Sequence, residues 1–182
     1  MSTFAISDRI LRDAPGLDVE AAHPDSAFAL LPRLVGLGVT GLVAYSVVQT
    51  LLVHLAGPDL VPDASVLAVG ARIGSAYLFG FFGAQVAGLP SAWFYALLAG
   101  IRTDAWRVTV EAMRAQATSA IVLLGLLPVY LAVGVGVTMV DEDALEFMVV
   151  ACGGYSLPFF AGLWGTAAMY RSFRRLVERE RA

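Results

Sequence analysis

GLPSAWFYALLAG, Gly88 to Gly100, is apolar enough to lie in lipid, yet it follows directly on another apolar run. From Ala64 to Ile101 the only charge is Arg72. A straight helix over that stretch would reach ~57 Å, nearly twice the ~30 Å of bilayer hydrocarbon. One crossing cannot use it all, and two cannot fit without a turn inside the bilayer. Proline lacks a backbone donor and disfavours helix at the residue before it. The expectation is therefore a full crossing over 65–88, a break at Leu89-Pro90, and a broken half-helix after the second crossing. Trp93 and Tyr95 favour headgroup depth for that segment.

Composition supports a membrane class. Of 182 residues, 58% are hydrophobic and 15% charged, with mean hydropathy +0.74, against about a quarter charged in soluble domains. Apolar runs of bilayer length fall at about 34–55, 65–88, 117–140 and 147–170. The fold expected is all-α, an integral membrane four-helix bundle. An interfacial segment, 90–116, joins the second and third crossings, and tails occupy 1–30 and 171–182.

The connectors alternate in charge. Arg9, Arg12 and Arg33 precede the first crossing, Arg102, Arg107 and Arg114 follow the second, and Arg171, Arg174, Arg175, Arg179 and Arg181 follow the fourth. The remaining loops hold Asp59, Asp63, Asp141, Glu142, Asp143 and Glu146 without arginine. Because positive residues stay in the cytoplasm, both termini are expected to be cytoplasmic, in a multi-pass protein of the inner membrane. The first ~27 residues read as a solvent-facing tail; Ile6, Ile10 and Leu11 with Arg9 and Arg12 can form a short surface helix before Pro15, and a frayed terminus is the plainer reading. Thr103 and Asp104 can cap a helix through Ala105–Gln116, either lying on the surface or extending the third crossing.

The arginine-led first crossing, GLPSAWFYALLAG, the Leu127-Pro128-Val129-Tyr130 break and the closing LWGTAAMYRSFRRL resemble bacterial four-helix inner-membrane proteins of a loosely Yip1-domain-like kind. The pattern runs from Leu31 to Leu176. The resemblance implies a multi-span bundle that binds other proteins without catalysis of its own, and it assigns no site residues.

Few residues suggest chemistry. Arg72 lies about 10 Å inside the second crossing by helical rise. It can snorkel or pair with Asp59 or Asp63, or else contact a substrate or lipid phosphate. Gln49 and Gln85 can hydrogen-bond between helices, and His54 sits at the edge of the first crossing. No carboxylate lies within the spans, which argues against a coupled proton or cation pump. Gly70, Gly74, Gly80 and Gly83 allow close helix approach, while Pro90, Pro128 and Pro158 mark expected kinks. Two distant histidines and one cysteine, Cys152, form no metal motif, so no metal and no cofactor is assigned. The aromatic stretch Ala76–Gln85 leaves a pigment, quinone or lipid tail open. The C-terminal arginines can attract anionic lipid at the cytoplasmic face. A net charge of −3 argues against nucleic acid.

The function expected is a non-catalytic interaction or assembly subunit, partnered with other integral membrane proteins or with further copies of itself. The alternative is a small channel or solute carrier with Arg72 and Gln85 along its path.

Overall fold

A computed structural model describes residues 3–55, 65–101, 103–140 and 144–181. It is all-α, with six helices: α1 (Thr3–Arg12), α2 (Ala14–Ala22), α3 (Pro24–Leu55), α4 (Val66–Leu98), α5 (Ala105–Val140) and α6 (Ala144–Arg181). Among the described residues, three helices are long and apolar enough to cross a membrane: Ser26–Leu55, Val66–Leu98 and Ala105–Val137.

The close contacts fix how the helices run. Gly41 meets Ala120, and Gly134 meets Leu52, so α3 and α5 lie parallel. Gly70 faces Thr50 and Gly74 faces Ser46, which sets α4 antiparallel to α3. Gly154 abuts Tyr130, and Gly165 abuts Ala115 and Ser119, which sets α6 antiparallel to α5. At Gly165 an added Cβ would stand 2.5 Å from the Ala115 carbonyl oxygen. Only a missing side chain permits this approach, the device that binds helices where water is absent.

The half-helix expected after the second crossing is not formed. Pro90 lies inside an uninterrupted α4 of 33 residues. The stop comes ten residues later, at Gly100, whose φ of 78° is left-handed. There the Gly100 N–H donates to the Leu97 carbonyl at 3.0 Å and the Ile101 N–H to the Ala96 carbonyl at 3.1 Å. This is a Schellman closure, which glycine enters without a Cβ penalty. Proline costs a helix one hydrogen bond, a loss tolerated within long helices of this kind. The segment 90–116 is therefore the end of α4, a short turn and the start of α5. Asp104 caps α5, its carboxylate accepting from the Arg107 N–H at 2.8 Å, and Ala105–Gln116 extends the third apolar helix without a break.

The N-terminal tail also departs from expectation. α1 and α2 are packed, with Ile6, Ile10, Leu17 and Ala21 buried against Leu30, Leu34, Leu37, Val110, Met113 and Ala117. Pro15 serves as a helix start, since the Asp13 carboxylate accepts from the Gly16 N–H at 3.0 Å and proline suits the first turn. At the other end, residues 171–181 continue α6 as helix. The second apolar cluster lies further along the bundle, around Leu42, Tyr45, Leu52, Leu123 and Ala161.

Candidate functional site

Where α1 and α2 dock, a buried charge cluster joins four parts of the chain. Asp18 on α2 is 2% exposed. Arg114 of α5 donates to its Oδ1 at 2.5 Å, and Arg175 of α6 donates through Nε to Oδ2 at 2.8 Å and through Nη2 to Oδ1 at 3.3 Å. The Ser172 hydroxyl adds a contact at 3.4 Å, and Arg114 also pairs with buried Glu111 at 3.7 Å. Arg9 of α1 donates to Glu20 of α2 at 2.6 Å. Burial alone would push the Asp18 carboxyl up. Hydrogen bonds from Arg175 and Arg114, with their charges, prevail and hold it below its ordinary 3.8. The N-terminal helices, the start of α5 and the end of α6 thus share one end of the bundle.

Deeper in the bundle a polar aromatic cluster crosses four helices. Tyr45 of α3 donates to the Gly154 carbonyl of α6. Tyr130 of α5 donates to Gln49 Oε1 at 2.5 Å. Tyr77 of α4 meets Tyr45 edge-on at 5.4 Å and stacks with Tyr155 at 6.5 Å between centroids. Gln49 Nε2 and the Tyr77 hydroxyl are buried without a partner among the described residues. Gly154 makes room for this cluster, since a Cβ there would overlap the Tyr130 hydroxyl.

The residues singled out from sequence fall at separate places. Gln49 is fully buried in the aromatic cluster. Gln85 donates to the Ala112 carbonyl of α5 and so ties α4 to the bundle. Arg72 is exposed on the other side of α4 and forms no ion pair among the described residues. Arg72 and Gln85 line no common cavity among the described residues. His54 is exposed in the last turn of α3. Gly70 and Gly74 pack on α3, whereas Gly80 and Gly83 have nothing within 4 Å of an added Cβ. Pro128 and Pro158 lie inside helices that continue through them.

Among the described residues, two clefts flank α4. One, of about 1140 Å³, lies between α3 and α4 and is almost wholly apolar. Its three hydroxyls are already committed, Ser46 to the Val43 carbonyl, Thr50 to the Ser46 carbonyl and Ser75 to the Arg72 carbonyl. The other, of about 640 Å³, lies between α4 and α6 and runs from Arg72 to Ala84. No group of histidine, cysteine or acidic residues suited to a metal is found among the described residues.

Sequence reasoning missed Asp18, whose charge stands between apolar Leu17 and Val19 in a segment taken for a tail. The signal was the Ile6, Ile10, Leu17 and Ala21 spacing, one apolar face shared by two short helices. No protein-family model, curated protein or solved structure matches the chain.

Proposed function

We propose that the chain is a non-catalytic, four-crossing inner-membrane protein that acts as an interaction or assembly subunit, with α4 as its docking helix. One observation carries this reading. The most apolar window of α4 is 0% buried, and its outward face is a stripe of small exposed residues, Ala76, Gly80, Gly83 and Ala87, at the three- and four-residue spacing through which helices meet in lipid. Within the chain those glycines touch nothing, while the glycines of the other helix contacts are filled by neighbours. The bundle of α3, α5 and α6 packs without needing that face.

α6 supplies the fourth crossing in this reading, because it follows α5 from Tyr130 back to Ala115. The arginine-rich connectors gather at the end marked by Asp18, which supports cytoplasmic termini. Arg175 is drawn to Asp18 and Arg174 to Glu178 at 2.9 Å, so these two are already engaged and less free for anionic lipid.

The test is purification of the tagged full chain from native membranes in mild detergent, beside Gly83→Leu and Gly36→Leu. Gly36 and Gly83 both face open space. A protein partner at fixed stoichiometry should accompany the parent and Gly36→Leu, and leave Gly83→Leu. A bare chain that conducts solute in liposomes would overturn the proposal and favour the channel reading.

A further inference from the structure

The cleft between α4 and α6 is graded in polarity along its length. At one end stands the Arg72 guanidinium, in the middle Tyr77 and Tyr155, and beyond them Gly80, Ala84 and Phe159. The helices are bridged across it by rings, Tyr77 on Tyr155 and Phe81 on Phe159, the latter with centroids 6.1 Å apart. Tyr77 lines the cleft with its ring at 9% exposure, while its hydroxyl is buried on the inner side, in the cluster with Tyr45. An arginine at this depth in hydrocarbon is costly unless an anion meets it. From Arg72 to Tyr77 is about 7.5 Å of helix rise, and from Arg72 to Ala84 about 18 Å.

We infer that this cleft is a binding site for one anionic phospholipid, its headgroup on Arg72, its ester region beside Tyr77 and Tyr155, and an acyl chain along Gly80, Ala84 and Phe159. Charge complementarity selects the anion, since no carboxylate lines the cleft among the described residues. The lack of polar side chains past the tyrosines selects a hydrocarbon tail over a polar solute. A neutral quinone would leave the guanidinium without its counter-charge. The cleft shares Ala76 and Gly80 with one edge of the docking face, while Gly83 and Ala87 lie outside it; the inference does not rest on the assembly role, and Ala84→Leu and Gly83→Leu test the two readings separately.

The experiment is native mass spectrometry of the full chain from detergent micelles holding equal phosphatidylglycerol and phosphatidylcholine. The parent should retain one phosphatidylglycerol, favoured about fivefold for a single arginine at headgroup range. Arg72→Gln should lose the preference and Arg72→Lys keep it. Ala84 is exposed, so Ala84→Leu should leave the melting temperature unchanged while filling the cleft and reducing retention of both lipids. Equal retention of the two lipids by the parent, or parental retention by Ala84→Leu at parental melting temperature, would overturn the inference.

Discussion

Asp18 shows how much a single carboxylate decides. Three donors from two helices converge on the buried carboxylate, with Arg175 itself only part-buried. Breaking a buried pair strands the remaining charge, at a cost of about 3–5 kcal/mol. Asp18→Asn is therefore expected to lower stability in detergent by about that amount, read as a drop in the thermal midpoint; an unchanged midpoint would show that the cluster contributes nothing. The pH dependence has a definite sign. The folded carboxyl titrates below its ordinary 3.8, so its stabilisation is complete above that value and is lost as pH falls through the folded-state pKa. The parent should destabilise in acid below about pH 4, and Asp18→Asn should lack that part of the acid limb.

At the level of the element, α4 shows which of two stop signals wins. Pro90 is the more conspicuous in sequence, yet a proline costs one hydrogen bond and can be absorbed within a long helix. Gly100 satisfies two carbonyls by turning left-handed, and so it ends the helix. Gly100→Ala should destabilise by about 1 kcal/mol, the cost of a Cβ in that conformation. Pro90→Ala should leave stability equal to the parent or slightly higher, and thermal melts of the two variants check the ranking. A large loss from Pro90→Ala would mean that the proline shapes the helix after all. Similar reasoning explains Ala105–Gln116: its amphipathic spacing suited both a surface helix and an extension. The packing of Val110, Met113 and Ala117 under α1 and α2 selected the extension.

Over the whole molecule, the two ends differ in kind. One end gathers Arg9, Glu20, Asp18, Arg114 and Arg175 under a two-helix cap. The acidic connectors, 56–64 and 141–143, lie outside the described residues. In the proposed orientation this cap lies in the cytoplasm, with Leu11 and Val19 as its exposed large apolar residues. In a Cys152→Ser background, a cysteine placed at position 143 should react with an impermeant maleimide on intact cells. Reaction only after lysis would reverse the orientation. Cys152 must be removed first because it is free and exposed.

The sequence by itself determined the helical class, the long apolar spans and the segregation of arginines, since these follow from the length and charge of each run taken alone. Helix packing on glycine was also visible in outline. Which glycines pack and which stay bare was decided only by tertiary structure, because eighteen glycines offer many spacings and the register between helices selects among them. The same holds for Asp18 and for Gln49 with Tyr130. Their partners lie 96, 157 and 81 residues away, and no local pattern reports a contact made at such separation.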